Sequence, residues 1–274
     1  MLYDIACFTR TSLLPTAQSL LCDFYHRYCA GEDIAITYKD DASAASLADR
    51  TTEEQLRALI TDAYPDHGII GEEFADHQAN APWLWVLDPL DGTAQFLSQR
   101  GGFASLIGLL FEGRPVFGAI GDPLTGTTWS GGGGNGQTPL PVMQNDQPVR
   151  LTPRRVLKGA RVCCTAPAMM FGADHPFVTR VPEVTGMPLI TERNGLGYTD
   201  LLTDDADLTF EQGLKLWDLI ALVPPLREAG CALMIRPSVA RFTLPDATMT
   251  DYRLLAATHQ DLITELLALI ENNA

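Results

Sequence analysis

A chain of 274 residues, 46% hydrophobic and 19% charged, is long enough for one large domain or two modest ones and has the composition of a folded globular protein. Its formal charge of −15 repels nucleic acid and anionic lipid, so neither is expected as a partner, and an anionic substrate would need a cation in its site. Six scattered cysteines with no CxxC pair, a start without a basic region and apolar run, and no apolar stretch of bilayer length lead to the expectation of a cytoplasmic protein with reduced thiols, without a zinc site, a signal peptide or a membrane-spanning helix.

Taken in chain order, Leu13 to Cys29 carries apolar positions at helical spacing. A second helix is predicted from Ser46 to Tyr64, with Leu47, Leu56, Leu59 and Ile60 on one face and Pro65 as its breaker. Short apolar runs then read as strands: Ile69-Ile70, Trp83–Leu87, Phe103–Phe111, Val116–Ile120 and Thr127–Trp129, with Glu112-Gly113 as a hairpin turn. The tract Gly131–Gly136 lacks the Gly-Lys-Ser/Thr ending of a phosphate loop and reads as a mobile turn. Gln137 to Pro148 is a candidate boundary, dividing an N-terminal α+β part (1–145) from a C-terminal α/β part (146–274). Beyond it, strands are expected at Val162–Thr165, Pro188–Thr191 and Asp207–Phe210. Helices are expected at Leu216–Ala229 and Gln260–Asn272, the last capped by Thr258 with Asp261. The whole reads as mixed α and β.

One stretch carries chemistry: Trp85-Val86-Leu87-Asp88-Pro89-Leu90-Asp91-Gly92-Thr93. Asp-Pro and Asp-Gly are common turn dipeptides, which is one reading. The other starts from the apolar run before them, which places two mutually repelling carboxylates at the edge of a core. A hard divalent cation relieves that repulsion; Mg²⁺ takes carboxylate and carbonyl oxygens and leaves positions for water and phosphate. Asp88, Asp91 and the Leu90 carbonyl could supply such oxygens, and a helix starting near Thr93 would offer free N–H groups to a phosphate. Further acids stand at Glu72-Glu73, Asp49 and Asp218, each explicable alone as a solvated turn or a helix N-terminal charge.

The set as a whole resembles the inositol monophosphatase superfamily. Asp88-Pro89-Leu90-Asp91-Gly92-Thr93 with Phe96 matches its first signature, and Trp217-Asp218 with Glu228-Ala229-Gly230 its second. Gly71-Glu72-Glu73 matches its Gly-Glu-Glu, and Gly118-Ala119-Ile120 with Pro123 the strand and turn after the first signature. The run from Lys39 to Asp49 resembles its K-x-D-x-S-P-V-T-x-A-D, with Ala44, Ala45 and Ser46 in place of Pro, Val and Thr. The resemblance spans most of the chain. It implies a layered α-β-α-β-α sandwich, usually homodimeric, and a Mg²⁺-dependent phosphomonoesterase using two or three ions, with lithium sensitivity. By position, Glu72, Asp88 and the Leu90 carbonyl would hold one ion, and Asp88, Asp91 and Asp218 a second, with Glu72 near a weaker third. Gly92 and Thr93 would present N–H groups to phosphate, and Thr93 with Asp49 would activate the attacking water. Lys39 matches a lysine near the site. No D-x-D-x-T motif and no cysteine with an arginine six residues later supports another phosphatase chemistry.

Finer likeness is to the histidinol-phosphatase branch, through Gly118–Gly126 with Trp129, Thr165-Ala166-Pro167 with Met170-Phe171, and Leu214–Asp218 with Leu222-Val223-Pro224. Gly195-Leu196-Gly197-Tyr198 departs from that branch's Gly-Asp-Cys-Tyr, placing Leu196 where a polar residue near the substrate is expected. A further departure is Arg236-Pro237-Ser238-Val239. Glu211, seven residues before Asp218, matches a substrate-contacting glutamate; a surface acid at a strand end is its other reading. With it, Asp91 and Asp218 would face the substrate. The expected ligand is a small phosphorylated metabolite, histidinol phosphate first. Inositol phosphate or another sugar phosphate is the alternative, and a regulatory binding protein that retains the fold is a further one.

Overall fold

The computed structural model describes residues 1–38, 44–171, 175–238, 242, 248 and 250–271. Helix α1 (Leu2–Phe8) continues through one π-helical turn (Thr9–Leu13) into α2 (Leu14–Cys29). The two-residue strands β1 (Thr37–Tyr38) and β2 (Ala44–Ala45) precede α3 (Leu47–Ala63). The helix α3 begins where the sequence predicts, because Ser46 is extended and its Oγ accepts the Ala48 N–H while Asp49 accepts the Ser46 N–H.

Seven strands then form one sheet in sequence order: β3 (Gly68–Gly71), β4 (Trp83–Asp91), β5 (Ala104–Phe111), β6 (Arg114–Gly121), β7 (Thr128–Gly134), β8 (Gln137–Gln144) and β9 (Gln147–Pro148). A short helix, α4 (Thr93–Leu97), joins β4 to β5. Only β3 and β4 run parallel in this sheet. Side-chain alternation along β4 feeds two cores. Trp83, Trp85 and Leu87 pack with Leu13, Leu14, Leu56 and Ile60 of the helical layer, while Leu84 and Val86 face the opposite side. Each such buried side chain contributes about 1.5–3 kcal/mol.

The rest of the chain supplies β10 (Val162–Cys163), α5 (Pro167–Phe171), α6 (Pro176–Thr185), α7 (Leu196–Thr199), β11 (Leu208–Leu214), α8 (Leu216–Ala229), β12 (Ala232–Arg236), β13 (Tyr252–Ala257) and α9 (Gln260–Glu271). Its four strands pair in the order β10-β11-β13-β12. Between the two sheets lies α8, buried from Leu219 to Leu226 as an all-round apolar helix must be. Gly108 and Gly118, paired across β5 and β6, let it approach: a Cβ on Gly118 would sit 2.0 Å from the Ala221 carbonyl oxygen. On the outer face, Phe177 and Val181 of α6 and Leu262 and Leu266 of α9 cover Val162, Leu208 and Leu255. The result is a layered α-β-α-β-α sandwich. Among the described residues no helix is long and apolar enough to cross a membrane.

Several expectations need correction. Gly131–Gly134 belong to β7, where a Cβ on Gly132 would lie 2.3 Å from the Val116 carbonyl oxygen; Asn135 and Gly136, both at positive φ, form a two-residue hairpin turn. The candidate boundary segment 137–148 forms the last two strands of the first sheet. Pro188–Thr191 makes only an isolated bridge, Cys163 with Ile190. Thr258 does not cap α9: its hydroxyl accepts the Arg154 N–H, and His259 Nδ1 accepts the Asp261 N–H instead.

Candidate functional site

The convergence of Asp88 and Asp91 comes from an irregularity in β4. The strand pairs Asp88 with Leu106 and Asp91 with Ala104, so three steps on β4 oppose two on β5. Residues three apart on a regular strand point to opposite faces; the extra residue in this bulge turns both carboxylates to one side. Pro89 sits in it without a donor to lose. The Leu90 N–H donates to Asp88 Oδ1 at 3.0 Å, and Gly92 turns the chain into α4 at φ +89°.

The third acid arrives from the other half of the chain. Asp218 lies in the first turn of α8 and accepts the Lys215 N–H at 2.6 Å through Oδ2. Asp91 Oδ2 accepts the Gly195 N–H at 2.6 Å. Asp88, Asp91 and Asp218 each bring one oxygen within 4.8 Å of the others. Burial, with the charges of Glu72, Asp218 and Asp91, holds the Asp88 carboxyl well above the usual carboxylate range. Burial and Asp218 do the same to Asp91, and burial raises Asp218. Glu72 follows β3, its N–H donating to the Leu87 carbonyl at 3.2 Å; it does not join the 4.8 Å group, but its charge acts on both Asp88 and Asp91. The Lys215 ammonium is engaged with Asp251. An all-oxygen, acidic, largely buried donor set of this kind fits a hard divalent cation. Lys39, with the segment 39–43, lies outside the described residues.

Beside this cluster stands Asp49, 1% exposed. Its Oδ2 accepts the Ser46 N–H at 2.8 Å and the Ser46 hydroxyl at 2.6 Å, which leaves Oδ1 facing Thr93 Oγ1 at 3.3 Å. Thr93 Oγ1 also lies 3.2 Å from the Leu90 carbonyl, so its one proton can serve either acceptor. Burial pushes the Asp49 carboxyl up to about 6 against the pull of its Ser46 bonds. Asp49 and Thr93 are therefore brought together as the sequence predicts. The first N–H groups of α4 at Gly92 and Thr93 have no intrahelical acceptor by construction.

Glu211 is not a surface acid. It is 3% exposed on β11, accepts the Thr165 N–H at 2.6 Å, and is pushed up to about 7, first by burial and also by Asp218. Two readings of the following segment change. Leu196 is 1% exposed and packs in the apolar core between the sheets, and Tyr198 is buried with its hydroxyl on the Leu254 carbonyl. Asn194, which the sequence reading passes over, reaches the site together with the Gly195 N–H on Asp91. Its N–H donates to Thr165 Oγ1 at 2.7 Å and its amide to the Gly102 carbonyl at 2.8 Å. A Cβ on Gly92 would meet that amide at 2.4 Å. Its φ of +46° is a conformation asparagine tolerates, and an Asn-Gly pair is the only trace of this in the sequence.

The model of the inositol monophosphatase family matches residues 12–273. The chloroplastic bifunctional phosphatase IMPL2 of Arabidopsis thaliana is 32% identical over 86% of this chain and 68% of its own. The histidinol-phosphatase of Mycobacterium tuberculosis is 28% identical over 85% of this chain and 88% of its own. A solved inositol monophosphatase from Zymomonas mobilis superposes with a TM-score of 0.75 at 26% identity, covering 99% of both chains.

Proposed function

The chain belongs to the inositol monophosphatase family, a family of phosphatases, and from that premise we propose that it is a Mg²⁺-dependent phosphomonoesterase acting on histidinol phosphate. The observation that carries the reading is the meeting of Asp88, Asp91 and Asp218 within 4.8 Å, next to the Asp49–Thr93 pair. A phosphate monoester leaves little covalent work to a protein, so positioning and charge neutralisation are the task.

Glu72, Asp88, the Leu90 carbonyl, Asp91 and Asp218 would hold two Mg²⁺ ions, Glu72 also serving a weaker third. Bound there, Mg²⁺ lowers the pKa of water and neutralises charge on the phosphate and the departing oxygen. Gly92 and Thr93 direct N–H groups at phosphate oxygens. The attacking water gives a proton to Thr93 Oγ1 as the Thr93 hydroxyl passes its own to Asp49 Oδ1, so that hydroxide attacks phosphorus and Thr93 ends as a neutral hydroxyl. Asp49, raised to about 6 by burial, is ionised at neutral pH and basic enough to take it. Ser46 holds the other carboxylate oxygen, so Oδ1 is fixed in direction. Glu211 and Asp91 bind the alcohol half; a buried carboxylate suits a cationic amine, and the likeness to histidinol-phosphatases supports that choice.

A second substrate reading has its own support. The superposition on an inositol monophosphatase at 26% identity favours a neutral polyol such as inositol or another sugar phosphate, whose hydroxyl would donate to Glu211. The intact acid set stands against a purely regulatory binding protein, because unpaired clustered carboxylates destabilise a fold that binds no cation. Phosphate release with Mg²⁺ and with EDTA tests all three, on histidinol phosphate, inositol 1-phosphate, fructose 1,6-bisphosphate, a nucleoside 3′,5′-bisphosphate and an aryl phosphate. EDTA-sensitive preference for histidinol phosphate is expected. Preference for a polyol phosphate would move the substrate, and silence on every ester would overturn the enzyme reading.

A further inference from the structure

We infer that Glu53 and Arg57 are positioning residues for the cation site, an ion pair on α3 that locks the Gly71–Glu73 turn and sets Glu72 at a fixed place relative to Asp49; the inference rests on the proposed role of Glu72 as a ligand. Asp49, Glu53 and Arg57 follow one another at four-residue spacing, one helical turn apart on one side of α3. Glu53 is fully buried and Arg57 15% exposed, and neither belongs to the acid cluster.

The two carboxylate oxygens of Glu53 are divided between helix and turn. Oε1 accepts from Arg57 Nε at 2.7 Å, and Oε2 accepts the Glu73 N–H at 2.8 Å. The remaining guanidinium nitrogens of Arg57 donate to the Ala75 and Phe74 carbonyls, each at 3.2 Å. The Phe74 ring is held by the guanidinium groups of Arg50 and Arg57, 5.6 and 5.8 Å from its centre. On the other side of Glu72, Gly71 packs directly on the same carboxylate: a Cβ there would lie 2.1 Å from Glu53 Oε1. Glu72 is thus bracketed, by a glycine seated on Glu53 before it and a backbone N–H bonded to Glu53 after it. Residues 73, 74 and 75 each give a backbone group to this pair.

Such an arrangement is poorly explained by stability alone, since burying an ion pair is often no better than burying apolar side chains. It is well explained by position. Glu72, whose charge acts on both Asp88 and Asp91, would be driven away from them without a cation, and the clamp holds its backbone where it must be.

The test is Mg²⁺ binding by calorimetry, and the Mg²⁺-induced rise in Tm, on the full chain without substrate. For E53A we expect Mg²⁺ affinity to fall about tenfold or more, the range for partners that orient metal ligands, with far-UV circular dichroism retained. E53Q, which keeps an acceptor for the Glu73 N–H, should recover part of the loss. R57K keeps the charge but cannot fork to two carbonyls, and should weaken binding in the same direction. E53A/R57K should bind within twofold of E53A, because the two side chains act as one unit. Should E53A fail to fold, R57K carries the test. Folded E53A and R57K that bind Mg²⁺ within twofold of the wild type would overturn the inference. D88N separates the two possible failures. If D88N also binds as the wild type does, the cation assignment itself has failed; if D88N alone loses binding, the clamp has.

Discussion

Replacing Asp88 by Asn should stabilise the protein in EDTA and remove its stabilisation by Mg²⁺. Oxygens of Asp88, Asp91 and Asp218 lie within 4.8 Å of one another. At that separation and an effective dielectric of about 20, each pair of full charges repels by about 3–4 kcal/mol. Protonation relieves part of this, because burial and these neighbours hold Asp88 well above its ordinary range. The sign follows from linkage. A carboxyl with a raised folded-state pKa binds more protons folded than unfolded, so stability falls as pH rises from about 4 until the folded pKa is passed. Asn carries no such proton, yet keeps an oxygen for the Leu90 N–H. At pH 8 without metal, D88N should therefore exceed the wild type by about 1–3 kcal/mol, or about 2–10 °C in Tm for a chain of this size. Mg²⁺ should invert the order: at 100 times its Kd the wild type gains about 2.7 kcal/mol and D88N gains nothing. Scanning calorimetry in EDTA and in Mg²⁺, at pH 6 and 8, reads both effects. A lower metal-free Tm for D88N, or a Mg²⁺-induced rise equal to that of the wild type, refutes the reasoning.

Asp49→Asn should lower kcat by about 10²–10⁴-fold with KM little changed; the wild-type rate should fall as pH drops through about 6, where Asp49 takes up a proton, and the variant should lack that limb. A variant that keeps both rate and limb removes Asp49 from proton transfer. Glu211→Gln should raise KM for an amine-bearing phosphate by about 10- to 150-fold, the loss of a charged hydrogen bond worth about 1.5–3 kcal/mol, and polyol phosphates should be affected less. The wild-type KM for the amine should improve as pH rises through about 7, where Glu211 ionises; an unchanged amine KM in the variant rejects amine recognition by this residue. Gly118→Ala sets a Cβ 2.0 Å from the Ala221 carbonyl oxygen and 2.8 Å from Pro225 Cδ, so α8 must shift. The overpacking should cost about 1–3 kcal/mol, lowering Tm by several degrees and weakening Mg²⁺ binding through Asp218. An unchanged Tm would show that α8 accommodates the methyl.

By itself the sequence determined the local pieces: the helices around Leu14–Cys29 and Leu47–Ala63, the strands on either side of Glu112-Gly113, and the acids at Asp88, Asp91, Glu72 and Asp218. These were legible because periodicity, breakers and charge spacing act within a few residues of where they are written. The pairing of Asp49 with Thr93 was legible only through the order of the motifs, since 44 residues separate them. The tertiary structure alone decided what depends on distant neighbours. Glu211 reads equally as a surface acid until β11 is placed in its sheet under Thr165, where burial rather than sequence sets its proton affinity. Leu196 and Asn194 are told apart only by the fold, because the turn of α7 puts the first in the core and leaves the second over Gly92. Polyglycine reads as a loop in one dimension, but glycine suits a strand whose neighbours would occupy the space of a Cβ. Most of all, two aspartates three residues apart point away from each other on a regular strand. The bulge that turns them together, and the helix that brings Asp218 to meet them, exist only once the sheet is paired and α8 is packed against Gly108 and Gly118.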